Sequence, residues 1–212
     1  MSAAEFVPEG GGIAELREAA QGCHGCELWE PATQTVFGAG SPRASMLLVG
    51  EQPGDVEDQR GLPFVGPAGK VLQKALDEAG ADRSMLYVTN AVKHFRFEWR
   101  GKRRIHQTPD TSNVVACRPW LEAEIRRVDP ELVVVLGATA GKSLLGSGFR
   151  VTKERGVVFE RDTPFGSKRF LATIHPSAIL RMDAEQRDQG YADFVADLRT
   201  AVGALGTSGS TT

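Results

Sequence analysis

Ser45-Met-Leu-Leu-Val-Gly-Glu-Gln-Pro-Gly-Asp55 runs from a short apolar stretch into a turn of glycine and proline. Residues Ser45–Val49, four of the five apolar and closed by turn formers, read as a strand buried on both faces. The pattern recurs at Met85–Thr89 (MLYVT), Glu131–Leu136 (ELVVVL) and Arg169–Ile174 (RFLATI). Helical patterns fill the intervals at Ala68–Ala79, Thr111–Val128, Ala138–Leu145 and Ala184–Leu205, with Thr111 or Ser112 able to cap the second. This alternation predicts an α/β fold of three layers, α/β/α, around a central four-stranded parallel sheet. Residues 13–204 are expected to form one domain. A flexible N-terminus, 1–12, carries Gly10-Gly-Gly12, and 205–212 read as a flexible tail.

The chain has 212 residues, enough for a core without disulfide staples. With 41% hydrophobic and 25% charged residues it has a soluble, globular composition, not a disordered or coiled-coil one. Its net charge of −2 makes no general case for a nucleic-acid partner, so any such case must be local. Met1–Phe6 has neither the basic start nor the apolar core of a secretory signal. No apolar run is long enough to span a bilayer. The expected location is cytoplasmic, with no membrane partner.

Ligands of parallel sheets bind outside the carboxyl ends of the strands. Here those ends carry Glu51, Asn90 and His175: an acid, an amide and an imidazole converging from three strands. Other motifs are weaker. Gly137-Ala-Thr-Ala-Gly-Lys-Ser143 has three residues between its glycines where a P-loop needs four, so it reads as a tight strand-to-helix turn. Gly38-Ala-Gly40 precedes a strand instead of following one, the wrong context for a dinucleotide fingerprint. Cys23-His-Gly-Cys26 does not lie in a strand-to-helix turn, as a thioredoxin-type centre would. With Cys117 it makes three thiols, and a tetrahedral metal site wants a fourth ligand, for which His24, His94, His106 and His175 are the options. A lone Cys117 would read as a small core residue.

Lys93–His106 (KHFRFEWRGKRRIH) is the strongest local charge feature, with six cations against Glu98. Phe95, Phe97 and Trp99 alternate with them. A solvated β-ribbon would show the same alternation. The basic tip favours nucleic acid, since cations neutralise phosphates and aromatics stack on bases.

Taken jointly, GEQPG (50–54), GLPFVGPAGK (61–70), TNAVK (89–93) and HPSAIL (175–180) resemble the motif set of the iron–sulfur, family-4 uracil-DNA glycosylases, from about Cys23 to Leu198. His94 stands where that family usually has cysteine, and Lys102-Arg-Arg-Ile-His106 is an insertion. Both features are similar to the X-type branch (UdgX), which bonds covalently to uracil-DNA. The resemblance implies a [4Fe–4S] cluster held by Cys23, Cys26, His94 and Cys117. It implies uracil contacts from Gln52, Asp55, Phe64, Asn90 and His175, and DNA contacts from Arg100, Lys102, Arg103, Arg104 and Ser177. Arg104 would fix its loop or a phosphate. His175 would stabilise the departing base, His106 would attack C1′, and Glu51 would orient His106 or accept its proton. The implied partner is uracil-containing DNA, single- or double-stranded, ending as a covalent adduct with a monomeric protein. The alternatives are a multiple-turnover family-4 glycosylase and a non-catalytic iron–sulfur protein that binds uracil-containing DNA.

Overall fold

The computed structural model describes residues 1–205. Its strands in chain order are β1 (Ala39–Gly40), β2 (Met46–Gly50), β3 (Leu86–Asn90), β4 (Phe97–Arg100), β5 (Arg103–His106), β6 (Leu132–Leu136), β7 (Val158–Thr163) and β8 (Gly166–Thr173). The α-helices are α1 (Ile13–Ala20), α2 (Asp55–Arg60), α3 (Pro67–Glu78), α4 (Thr111–Val128), α5 (Gly137–Leu145), α6 (Val151–Glu154), α7 (Pro176–Arg181) and α8 (Ala184–Leu205).

The four expected strands lie side by side and parallel, in the order β3-β2-β6-β8. The sheet nevertheless has six strands, because β1 and β7 add antiparallel edges. Those edges carry little apolar patterning: β1 has two residues, and Glu160, Arg161 and Asp162 of β7 are exposed. Edge strands are short or charged, so their sequences do not announce them.

The apolar runs are continuous because both faces of the sheet are covered. Leu47 and Val49 of β2 pack with Leu16, Trp120 and Leu121 of α1 and α4. Met46 and Leu48 point the other way, into Leu72, Ile179, Phe194 and Leu198 of α3, α7 and α8. Period-two alternation therefore divides each strand between two cores and yields the three layers. Among the described residues no helix is long and apolar enough to cross a membrane.

Residues 1–12 are more ordered than their glycines suggest. Ala3–Phe6 form a 3-10 helix, Ala3 is 1% exposed, and its Cα sits where a Cβ on Gly25 would come within 2.6 Å. The expected tail begins at Leu205, which closes α8. Residues 206–212 lie outside the described residues.

From β2 the chain moves to β3 on one side, and the later strands β6 and β8 fill the other. The crevice beside the carboxyl end of β2 is thus the topological switch point, the place where such sheets take ligands.

Candidate active site

Two adjoining cavities of about 450 Å³ each open at that end of the sheet. Gln52, His106, His175, Ser177 and Arg181 line both. Phe64, Asn90, Pro67 and Ala68 wall one of them, which suits a flat ring, while Glu51, Thr139 and Val151 belong to the other.

The cavity walled by Phe64 and Asn90 owes its shape to two glycines and one strained residue. Phe64 has φ of 56°, a left-handed conformation uncommon for a bulky side chain. It is held there because its main chain lies against Gly69 of α3, where a Cβ would come within 1.8 Å of the Phe64 carbonyl oxygen. The Phe64 ring and the Asn90 Oδ1 both sit over Gly50, whose Cβ would approach them to 2.7 Å and 2.4 Å. Asn90 is 3% exposed, yet no described group hydrogen-bonds its carboxamide. A buried amide without partners, facing a cavity, is prepared for a ligand's polar edge. Its main chain is fixed from below: the Asn90 carbonyl accepts from Lys93 Nζ at 2.7 Å, and Lys93 pairs with buried Glu124.

His175 precedes α7. Its Nδ1 accepts from the Ser177 main-chain N–H at 3.2 Å, with the Ser177 hydroxyl 2.8 Å away. An acceptor at Nδ1 leaves the neutral ring with its proton on Nε2, a donor. Burial, then the positive Arg181 and the neighbouring His106, push the His175 pKa down to about 4, so the ring is neutral at physiological pH. Gly137, at φ 89°, lies so close that a Cβ would come within 2.9 Å of His175 Cβ.

His106 ends the two-stranded ribbon β4–β5, opposite Phe97. Its Nε2 stands 3.6 Å from Glu51 Oε1, and the Thr139 hydroxyl donates to Glu51 Oε2. Burial lowers the His106 pKa against the opposing pull of Glu51, and Arg181 lowers it further.

What holds the ribbon differs from the sequence reading at several residues. Gln52, expected on uracil, lines both cavities but turns its amide to the ribbon's base. Its Nε2 donates to the Arg96 and Gln107 carbonyls at 3.2 and 3.0 Å, and its Oε1 accepts from Arg96 N–H. Asp55, also expected on uracil, pairs with Arg104 at 2.6 Å from the first turn of α2. Arg104, expected to fix its loop or a phosphate, ties the ribbon to α2: it also pairs with buried Asp58 at 2.6 Å and lies over the Phe95 and Phe97 rings. Ser177, expected on DNA, caps His175 while lining both cavities.

The basic segment shrinks accordingly. Lys93 is buried on Glu124, Arg96 pairs with Asp110 at 2.6 Å, and Arg104 is held by two carboxylates. Among the described residues, Arg100, Lys102 and Arg103 remain solvent-facing without ion pairs, beside Trp99 at 65% exposure.

Sequence reasoning missed Asp58, Thr139 and Arg181. Asp58 lies three residues after Asp55 and Arg181 four after Ser177, spacings that share a helix face, so a helical reading of those turns exposes both. Thr139 meets Glu51 only because β6 pairs with β2, which no local pattern shows.

Cys23, Cys26 and Cys117 are buried, free of disulfides, and part of one core cluster. Burial pushes the Cys26 thiol up and the Cys117 thiol up to about 12, with neighbouring thiols adding to both. Donors surround the sulfurs: Trp120 Nε1 reaches Cys23 Sγ at 3.1 Å and Lys93 N–H reaches Cys117 Sγ at 3.3 Å. His94 is buried, with Nε2 2.9 Å from the Thr35 hydroxyl. Among the described residues no group of three or more His, Cys, Asp or Glu is gathered closely enough to hold a metal ion. Three sequestered thiols that sense one another, ringed by N–H donors, do fit the donor chemistry of an iron–sulfur cluster, whose ligands stand further apart than those of a single ion.

The chain that builds this slot matches known proteins over most of its length. The chain is 33% identical over 173 residues to the type-4 uracil-DNA glycosylase of Sulfurisphaera tokodaii, covering 79% of this chain and 76% of that protein. It is 35% identical over 167 residues to the type-4 uracil-DNA glycosylase of Thermotoga maritima, covering 78% and 82%. It is 31% identical over 176 residues to that of Archaeoglobus fulgidus, covering 81% and 84%. Residues 37–199, which carry the whole sheet and every wall of both cavities, match the uracil DNA glycosylase superfamily, and the chain belongs to it.

Proposed function

We propose that this chain excises uracil from DNA and that His106 captures the C1′ left behind, a single-turnover reaction. The observation that carries the reading is the position of His106: on a tethered ribbon, lining both cavities, with Nε2 3.6 Å from a carboxylate.

The flipped base enters the slot and stacks on Phe64. Asn90 Oδ1 accepts from uracil N3–H and its amide donates to O4. Cytosine reverses both polarities and leaves buried polar atoms unpaired, the basis of discrimination. As the N1–C1′ bond breaks, its electron pair goes to the base and negative charge gathers at O2. His175 Nε2–H donates to that oxygen. The Nε2 lone pair of His106 then forms the new bond to C1′. Attack from Nε2 leaves the ring's proton on Nδ1. The alkylated ring is cationic beside Glu51 until its Nδ1 proton passes to solvent, while the expelled base takes up a proton. A neutral N-alkylimidazole is a poor leaving group, so the adduct persists.

Arg100, Lys102 and Arg103 at the ribbon tip meet phosphates, and Ser177 adds a contact beside the site. Asp55, Arg104 and Gln52 hold the ribbon instead of touching the base. Cys23, Cys26 and Cys117, with His94, would hold a [4Fe–4S] cluster, which when bound braces the loop carrying the ribbon and takes no part in bond cleavage. The protein acts as a cytoplasmic monomer on single- or double-stranded DNA.

Intact mass after incubation with a short uracil-containing oligonucleotide tests the reading. The expected product is protein plus oligonucleotide minus uracil, absent in His106→Ala, which instead releases uracil and leaves an abasic site. Free uracil without a mass shift in the native protein would return the chain to the multiple-turnover reading. Binding without uracil loss would remove the enzyme reading altogether.

A further inference from the structure

The second cavity contains an arrangement that the base chemistry does not use. Glu51 follows β2, and its side chain is 22% exposed. Its carboxylate receives one described hydrogen bond, from the Thr139 hydroxyl to Oε2 at 2.5 Å. The other oxygen, Oε1, is the one that faces His106 Nε2. Thr139 lies in the first turn of α5, which follows β6, the neighbour of β2. That turn cannot drift: Gly137, two residues earlier, abuts His175 Cβ. One helical turn therefore touches both imidazole arms of the site, His175 through Gly137 and His106 through Glu51.

We propose that Thr139 is a positioning residue for the His106 reaction: by donating to Glu51 Oε2 it holds Oε1 toward the imidazole and so sets how efficiently His106, and not water, captures C1′. The proposal rests on the covalent reading above and extends it by one residue. A glutamate has three rotatable bonds, and a carboxylate without a fixed partner distributes over rotamers that face solvent. A charge-assisted hydrogen bond is strong enough to select one of them. The arrangement is not that of a triad: Oε1 faces the attacking nitrogen itself and acts on it by charge, so where it is held sets how well the cation formed on capture is stabilised.

The groups that face the His106 ring come from several elements. Glu51 after β2 and Glu57 of α2 favour its charged form, whereas Arg181 of α7 disfavours it, and His175 lies across the shared cavity. If Thr139 holds Glu51 in place, its removal weakens the first of these and leaves the others. The ring then titrates at lower pH, and the cation formed on capture loses its nearest counter-charge.

The experiment compares Thr139→Val, which keeps the shape and removes the hydroxyl, with Thr139→Ser, which keeps the hydroxyl. Two quantities are read. One is the ratio of SDS-stable adduct to free uracil in single turnovers on a uracil-containing oligonucleotide. The other is the His106 titration midpoint, by NMR, in the DNA-free protein. Thr139→Val should lower the adduct-to-uracil ratio on the order of tenfold, the size expected for losing one charge-assisted hydrogen bond. It should also move the His106 midpoint down. Thr139→Ser should restore both. A native-like ratio and midpoint in Thr139→Val, or a Thr139→Ser that behaves as the valine variant, overturns the assignment while leaving the covalent reading intact. Absence of any adduct in the native protein overturns both.

Discussion

Replacing Arg104 with alanine should release the ribbon that carries His106. The Arg104 side chain is 11% exposed and bridges Asp55, 44% exposed, and Asp58, fully buried. The Asp55 pair is half in solvent and is worth at most about 1 kcal/mol. The Asp58 pair matters more, because a buried carboxylate stripped of its counter-ion costs about 3–5 kcal/mol. One Thr33 contact tempers that cost, since its main-chain N–H still reaches Asp58 at 3.0 Å; the bond that Arg104 Nη1 donates to the Thr33 hydroxyl at 3.1 Å is lost with the side chain. Together these give about 3 kcal/mol. A two-stranded ribbon is marginal on its own, so the loss falls mainly on docking and lowers the docked fraction on the order of a hundredfold. Hydrogen exchange over residues 97–106 should show it directly, as lost amide protection confined to the ribbon. Single-turnover assays should show adduct formation slowed by a similar factor and uracil release slowed far less. Arg104→Lys should recover little, because a single ammonium cannot bridge both carboxylates as the guanidinium fork does. Undiminished ribbon protection together with a normal adduct rate would refute the tether.

Gly50→Ala places a Cβ 2.4 Å from Asn90 Oδ1 and 2.7 Å from Phe64; excision should be lost with near-native circular dichroism, and an active variant would mean that these groups do not read the base. Lys93→Met strands Glu124 at 0% exposure and should cost about 3–5 kcal/mol in urea unfolding; a near-native midpoint would show that the Tyr87 and Thr89 hydroxyls and the Gly38 N–H suffice to hold the buried carboxylate. His175 has its folded pKa pushed from 6.5 to about 4 by burial first, so between these values only the unfolded chain binds the proton. Its stability contribution is therefore full above about pH 6.5 and lost as pH falls toward 4, by up to roughly 3 kcal/mol. His175→Asn should lessen the fall of the urea midpoint in that window, buried His94, likewise pushed down to about 4, supplying the remainder, and an unchanged slope would count against the neutral ring. Protein purified without oxygen should be brown with about four irons per chain; a colourless, fully active preparation would remove the cluster.

That β2, β3, β6 and β8 are parallel strands was legible because strands buried on both faces must be apolar throughout, and few other elements look like that. The closing helix Ala184–Leu205 and the helix Thr111–Val128 stood out by periodicity and capping for similarly local reasons. Glu51, Asn90 and His175 could be gathered from sequence alone, since the carboxyl ends of neighbouring parallel strands must meet. The uses of Gln52, Asp55 and Arg96 could not. A charged or amide side chain has the same residue identity whether it faces DNA, a base or a carboxylate on a distant helix. Only the packing of ribbon against α2 decides which partner is within reach. Thr139 is the sharpest instance: it lies 88 residues from Glu51 and meets it through sheet order. Apolar burial follows from each residue's own chemistry and its spacing, so sequence displays it; polar partnership depends on who arrives beside whom, which is settled when the chain closes on itself.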